Sequence, residues 1–328
     1  MIRNRSWMLG TLSLAALAIS VTLPVGPAQA WEPSEPVKIV VHTPAGTGSD
    51  IVARAVADII RKDRLMPVAV EVLNRTGAGG LNAMTFTAAQ KGNPHYLMGI
   101  TNAFLSTPLM QKSALTFNDF VMVRIIAEDS NAIQVNASSR YNTLQDLVNA
   151  AKARPKAVSL GVGSIGGTDH MIGYRLGQAV GADFNVVSFD GGGNASVALL
   201  GSHIDFVTGG PSESRGQIDA GRLRVLAVLG KERLKGLPNV PSMGELGIDI
   251  GATFAVIRGF VAPPETRDDV AEYYSQVLDK VAATAAWKDF ELKSDFVPTN
   301  VQRVDMKAFL AKRNSDIAET LKAIGVLK

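Results

Sequence analysis

The sequence predicts an α/β fold of two domains with parallel, doubly wound sheets. Short apolar runs alternate with helical patterns, most of those runs close on a glycine-bearing turn, and the order strand, turn, helix keeps one polarity along the chain. Of 328 residues, 298 follow a leader over residues 1–30, enough for two cores.

The leader reads as a secretory signal peptide. Arg3 and Arg5 precede the apolar stretch 7–23, and Ala28-Gln29-Ala30 is a small-x-small cleavage site, so the cut is expected after Ala30. The apolar stretch is short for a membrane span and is followed by Pro24 and Pro27. Removing the leader takes away two arginines and no acid, so Lys and Arg fall from 33 to 31 against 30 Asp and Glu. No basic run remains to attract nucleic acid or an anionic membrane. The chain has no cysteine, which excludes disulfides, thiolate catalysis, Cys-based metal sites and a lipid-modified N-terminal cysteine. An export signal without disulfides suits a bacterial periplasm.

The first unit opens with Val37-Lys38-Ile39-Val40-Val41 and the turn Thr43-Pro44-Ala45-Gly46-Thr47-Gly48-Ser49-Asp50. Ile51, Val52, Ala55, Val56, Ile59 and Ile60 then fall on one face of a 3.6-period helix. Thr47 and Asp50 have capping-box spacing, with Thr47 accepting from a first-turn N–H and Asp50 reaching back. Such a corner leaves backbone N–H groups pointing out of a helix start, an anion cradle. One corner alone reads first as an ordinary strand-to-helix connection. The functional reading rests on its recurrence.

It does recur. Val68-Ala69-Val70-Glu71-Val72 leads into the turn 74–80 and a helix over 81–90, and Tyr96-Leu97-Met98-Gly99-Ile100 leads into Thr101-Asn102-Ala103-Phe104. Strands are expected at 121–126 and 133–135, after which Thr143-x-x-Asp146 forms a second capping box and opens a helix ending before Pro155. Val158-Ser159-Leu160-Gly161 meets the turn 163–170 and a helix to Val180. Strand 186–189 meets Asp190-Gly191-Gly192-Gly193-Asn194, and strand 204–207 meets Thr208-Gly209-Gly210-Pro211. That makes six strand ends of one polarity, three from each half. Open α/β sheets bind ligands beyond the carboxyl ends of their strands, so the six could face one another across a cleft.

The last third carries a strand over 223–228, a rigid loop at 238–241 and a strand over 254–261 broken by Arg258-Gly259. Thr266-x-x-Asp269 is expected to cap a long helix to about Ala283, and another helix covers roughly 305–324. This helix-rich tail should pack back onto the first domain.

Catalytic patterns are sparse. Gly161-Val162-Gly163-Ser164-Ile165-Gly166 satisfies G-x-G-x-x-G and Asp190 lies where a ribose-binding acid would be sought, but dinucleotides are scarce outside the cytoplasm. Anion binding by the backbone of that turn remains open. His42, His95, His170 and His203 show no zinc-ligand spacing, and neither Ser164 nor Ser212 lies in a G-x-S-x-G elbow. Ser164 and His170 could meet at a helix start, yet a hydrolase also needs an orienting acid and an oxyanion hole. His170 reads as a helix-start residue that hydrogen-bonds a loop, with ligand contact as the alternative. Asp50 and Asp169 both lie in first helical turns, where the dipole favours a carboxylate. Arg258, inside an apolar strand, needs a partner, either a protein carboxylate or a ligand carboxylate held bidentately.

Taken together, residues 40–50 with Arg54, Asn74-Arg75-Thr76-Gly77-Ala78-Gly79-Gly80, the turn 163–170, segments 189–205 and 220–228, and Leu237-Pro238-Asn239-Val240-Pro241-Ser242 resemble the substrate-binding proteins of tripartite tricarboxylate transporters, the Bug or TctC family. The resemblance covers the whole mature chain. It implies a periplasmic two-domain binding-protein fold of type II, the Venus flytrap, with the ligand in the interdomain cleft. Domain 1 would comprise 31–129 plus 255–328 and domain 2 residues 130–254, with crossovers near 127–131 and 253–257.

The family holds a ligand carboxylate chiefly with backbone N–H groups and ordered waters from facing loops. Carried over, that implicates Gly46, Thr47, Gly48 and Ser49; Thr76, Gly77, Ala78 and Gly79; Ser164, Ile165, Gly166, Gly167 and Thr168; and Asp190, Gly191 and Gly192. Asp50, Asn102, His170, Gly210 and Arg258 complete the candidate set. The first loop departs from the family's Pro-Gly-Gly-x-x-Asp in placing Ala45 before Gly46, and Ile257 stands where a Trp commonly precedes Arg-Gly. The loop 164–170 and Ile257-Arg258-Gly259-Phe260 look closer to the tricarboxylate-binding branch, which implies a di- or tricarboxylate.

The resemblance thus implies a non-enzymatic, monomeric periplasmic protein without cofactor or metal, delivering a small organic carboxylate to membrane permease subunits. The competing class is a sensor subunit feeding a two-component receptor kinase.

Overall fold

The computed structural model describes Met1, residues 31–250 and residues 255–328. The signal peptide, its cleavage site, and the predicted strand start and crossover residues at 253–254 lie outside the described residues. Among the described residues there are eleven strands and ten α-helices. In chain order they are β1 (Val37–Val41), α1 (Gly48–Lys62), β2 (Val70–Asn74), α2 (Leu81–Ala88), β3 (Tyr96–Ile100), α3 (Ala103–Gln111), β4 (Val121–Asp129), β5 (Ala132–Asn136), α4 (Leu144–Ala153), β6 (Ser159–Val162) and α5 (Thr168–Val180). There follow β7 (Asn185–Ser188), α6 (Gly192–Leu200), β8 (Phe206–Gly209), α7 (Pro211–Asp219), β9 (Leu223–Val228), β10 (Val256–Ala262), α8 (Asp268–Ala283), α9 (Ala285–Lys293), β11 (Phe296–Val301) and α10 (Arg303–Ala323).

The strands form two sheets, one in the order β11-β4-β10-β3-β1-β2 and one in the order β7-β6-β8-β5-β9. The six strands whose ends carry the turns 43–50, 74–80, 101–104, 163–170, 190–194 and 208–211 are β1, β2, β3, β6, β7 and β8. They form one parallel set in each sheet, as their shared polarity predicts. The sheets as wholes are mixed, which corrects the expectation of parallel sheets. β10 runs antiparallel to β3 and β4, β11 antiparallel to β4, and β5 antiparallel to β8 and β9.

The connection between the sheets explains the reversal. β4 leaves the first sheet at its carboxyl edge, and Ser130 and Asn131 alone separate it from β5. Two residues reach roughly 7 Å, too short for a crossover helix. β5 therefore starts at the nearest edge of the second sheet and runs against its parallel set. The carboxyl edges of the two parallel sets consequently face one another.

The tail returns to the first sheet, as expected, with α8 packing on β4 and α1 and α9 on α1 and β11, but α10 packs on α5 of the second sheet as well as on β4 and α3. On α10, Arg313 is 6% exposed and donates to Glu128 Oε1 (2.7 Å) and to the Ala255 carbonyl (2.9 Å), joining the two strands that carry the chain between the sheets. Arg175 on α5 donates from Nε to Thr320 Oγ1 (3.1 Å).

Capping separates local from tertiary control. Thr143 caps α4: its Oγ1 accepts from Asp146 N (3.1 Å), and Asp146 Oδ2 accepts from Thr143 N (2.9 Å). Neither other predicted cap forms. Thr47 turns its hydroxyl back to the Pro44 carbonyl (2.7 Å), and Thr266 does the same to the Pro263 carbonyl (2.8 Å) while Asp269 pairs with Arg267. In urea unfolding, Thr143→Ala should lower stability by about 1 kcal/mol, and Thr47→Ala should cost well under half of that.

Candidate functional site

The first loop is tied by Asp50. This carboxylate, 1% exposed, accepts from Gly46 N (2.9 Å), from Arg54 Nε and Nη2 (2.8 and 2.9 Å) and from Asn74 Nδ2 (2.9 Å). The Arg54 hydrogen bond chiefly holds its carboxyl low, at about 2. Asn74 also donates to the Thr43 carbonyl (2.9 Å), so the turn is bound to the end of β2. The side chains are thereby spent inside the loop. Among the described residues, the N–H groups of Gly48, Ser49 and Asp50 meet no protein acceptor, and the buried Ser49 hydroxyl has no partner.

The second loop is an exposed turn in which Gly77, Ala78, Gly79 and Gly80 all take positive φ, a conformation that a β-carbon disfavours. Three side chains hold its carbonyls: Asn82 donates to Thr76 O (3.0 Å), Gln111 to Ala78 O (2.9 Å) and Thr107 to Gly79 O (2.7 Å). Behind it, His42 packs on Gly80 and pairs with Thr101 Oγ1 (3.3 Å). Burial, reinforced by the nearby Arg258 charge, lowers the His42 pKa to about 4. Asn102 is buried and its amide is taken up by Ala255 O (3.1 Å) and Ile257 N (3.4 Å), which makes it a staple to β10.

In the second sheet the loop 163–170 is shaped by its own acid and imidazole. Asp169 accepts from the N–H groups of Gly163 and His170, and His170 Nδ1 accepts from Gly166 N (3.0 Å), leaving the imidazole proton on Nε2. This is the loop-bonding role read from the sequence. Burial raises the Asp169 carboxyl and lowers the His170 imidazole. Thr208 Oγ1 donates to Asp169 O (3.0 Å), and Gly191 N donates to Gly163 O (2.9 Å). A Cβ on Gly163 would fall 2.5 Å from Gly192 N, so the loops at the starts of α5 and α6 touch through backbone. Ser164, Ile165, Asp190, Gly191 and Gly192 are exposed, with Gly167 and Thr168 half-buried beside them.

Arg258 lies between the two sheets, and its partner is a protein carboxylate. Nη2 donates to Asp129 Oδ2 (2.5 Å), with side-chain exposures of 5% and 1%. Burial pushes the Asp129 carboxyl up while Arg258 pulls it down. A Cβ on Gly48 would fall 2.8 Å from Arg258 Nη2, and one on Gly210 would fall 3.2 Å from Asp129 Oδ1. Burial raises the Glu213 carboxyl, the Asp129 and Asp169 charges push the same way and Arg258 opposes them. Contacts run from Gly48, and from Asn102 through Ile257, to Arg258, Asp129 and Gly210, and from Thr208 of the same loop as Gly210 through Asp169 and Gly163 to Gly191 at the start of α6. They bring together the first and third loops of one sheet with all three loops of the other. Thr76, Gly77 and Ala78 are reached only through Gly80. Asp129, Glu213 and His42 escaped the sequence reading, because no local spacing marks them.

Among the described residues no group of three or more His, Asp or Glu is placed to hold a metal. What the arrangement offers is three helix starts, those of α1, α5 and α6, with unused backbone N–H groups and the positive ends of their dipoles. The family model described as the tripartite tricarboxylate transporter family receptor, TctC, matches residues 52–326. The chain belongs to this receptor family. A UPF0065 protein of Agrobacterium vitis is 32% identical over 271 residues, spanning 81% of this chain and 77% of its own. A ligand-free TctC solute-binding protein from Polaromonas shares the fold with a TM-score of 0.73 at 25% identity, over 89% of this chain and 99% of its own. The periplasmic binding protein BugD matches with a TM-score of 0.76 at 24% identity, over 90% and 99%.

Two outcomes follow from the buried charges of this receptor. Because the folded pKa of His42 lies below its unfolded value, the neutral ring contributes stability above pH 6.5 that is lost as pH falls through 4. That contribution is up to about 3 kcal/mol, and His42→Gln should remove this part of the acid sensitivity; a ring titrating near 6.5 by NMR would contradict it. Asp129→Asn should destabilise by about 3–5 kcal/mol by leaving Arg258 buried and unpaired, with much of the loss recovered in the Asp129→Asn, Arg258→Met double variant.

Proposed function

We propose that this chain is a periplasmic solute-binding protein that captures a small organic carboxylate and delivers it to the permease subunits of a tripartite tricarboxylate transporter. The observation that carries the reading is the set of unused N–H groups at the starts of α1, α5 and α6, on facing edges of two parallel sets. A carboxylate satisfies such donors without a cation, and membership of the receptor family supports a transporter partner. The site residues proposed for contact are the backbone N–H groups of Gly48 and Ser49 on one side and of Ser164, Ile165, Thr168, Asp190 and Gly192 on the other, while those of Gly166, Gly167 and Gly191 are taken up inside the loops. Asp50, Asp169 and His170 hold these loops in place, and Asn102 ties the third loop to β10.

In this reading residues 31–129 with 255–328 form one lobe and 130–254 the other, and the protein is an exported monomer processed after Ala30. Closure bends the crossovers near Asp129 and Ala255. It is driven by contacts that exist only when both lobes engage the ligand. The protein performs no catalysis. A second ligand carboxylate on Arg258, as a di- or tricarboxylate would require, must displace Asp129 from a buried pair.

The test is thermal and urea unfolding with a panel of mono-, di- and tricarboxylates, aliphatic and aromatic. A ligand present at 100 times its Kd should raise unfolding free energy by about 2.7 kcal/mol, and a flat response across the panel would overturn the proposal.

A further inference from the structure

We infer that the turn ending α10 belongs to the carboxylate site: Leu321 and Val326, with Met110 of α3, are positioning residues that hold the loop 163–170 where its N–H groups meet the ligand. The inference rests on the carboxylate reading and deepens it. Gly166 is the point of contact. It takes a φ of +80° in the middle of the loop and is buried, while Ser164 and Ile165 before it are exposed. A Cβ on Gly166 would fall 2.7 Å from Met110 Sδ and 3.3 Å from both Leu321 Cδ2 and Val326 Cγ1. The loop follows β6 of the second sheet, whereas α3 follows β3 and α10 follows β11, both strands of the first. Side chains from the first-sheet side therefore close on the backbone of one loop residue. Because Gly166 N also donates to His170 Nδ1 (3.0 Å), what fixes Gly166 bears on the start of α5 as well.

The end of α10 is built for this contact. Gly325 takes a φ of +75°, its N–H donates to the Lys322 carbonyl (2.9 Å), and Val326 N donates to the Leu321 carbonyl (2.9 Å). These two bonds form a Schellman motif, which brings the residue two past the cap against the third residue from the helix end. Here those residues are Val326 and Leu321, the two that meet Gly166. One turn earlier, Thr320 Oγ1 accepts from Arg175 Nε of α5 (3.1 Å), so the last turns of α10 touch both the loop and the helix that follows it. The other support is two-sided as well. On α3, Thr107 and Gln111 hold the carbonyls of Gly79 and Ala78 in the second loop, while Met110 between them reaches Gly166. One helix thus braces a loop from each sheet. A ligand held by loops of both sheets and the apolar contact at Gly166 require the same placement of those loops, so each strengthens the other.

The test compares wild type with Val326→Ala, Met110→Ala and Val326→Ile. Calorimetry uses the carboxylate panel, benzoate, succinate and citrate among its members, and amide hydrogen exchange is followed on the unliganded proteins. Both alanine variants should weaken the acids that wild type binds by about tenfold, and Val326→Ile should keep the wild-type Kd. Exchange should quicken at Gly166 N, whose acceptor lies in the loop, and stay at the wild-type rate at Gly46 N in the first loop. An unchanged Kd in either alanine variant, or equal loss of protection at Gly46 and Gly166, overturns this inference alone. Failure of the whole panel to bind wild type overturns the carboxylate reading and this inference with it.

Discussion

The buried pair between Arg258 and Asp129 fixes the geometry on which the rest of the cleft depends. Each residue belongs to a strand that carries the chain between the sheets, and each is almost wholly out of water. An isolated charge there would cost several kcal/mol, so neither can move without the other. Their backbone neighbours are constrained in turn. Gly48 at the start of α1 leaves no room for a side chain above the guanidinium, and Gly210 at the start of α7 closes over the free oxygen of Asp129. The pair thus sets where two helix starts sit, one from each sheet.

Recognition by backbone demands that the side chains be occupied elsewhere. Asp50, Asn74, Asn102, Thr107, Gln111, Asp169 and His170 all direct their polar atoms at main-chain groups of the loops or their flanks. What remains unmet are helix-start N–H groups, which carry partial positive charge without a counter-ion. Loops held in this way are fixed by their own side chains, without a ligand.

The sequence shows the strand ends well and their partners poorly. All six glycine-bearing ends lie on the parallel sets, because alternation and turn chemistry are local signals. Strand direction in β5 and β10 was hidden, since it follows from how a two-residue link joins two sheets. β11 was hidden too: Pro298 and Asn300 weaken its pattern, and its place at the sheet edge tolerates them. The Thr47 and Asp50 spacing was real but misleading. Arg54 and Asn74 captured the carboxylate, and Asn74 is 24 residues away. A larger separation, 129 residues, hid Asp129, which meets Arg258 only in the folded chain. By contrast Thr143 and Asp146, with no competitor nearby, did what their spacing implies.

Arg258 shows why an isolated cation in a sequence is weak grounds for a second ligand charge. A guanidinium in an apolar strand must be paired before any ligand arrives, or the unliganded fold would carry an unpaired buried ion. Evolving a partner such as Asp129 solves that problem and at the same time removes the cation from the ligand's reach. The pair still shapes its surroundings, because Gly48 packs on the guanidinium and Gly210 on the unbonded oxygen of Asp129. The pair thus acts on the backbone around it through where its two groups sit rather than through a net charge.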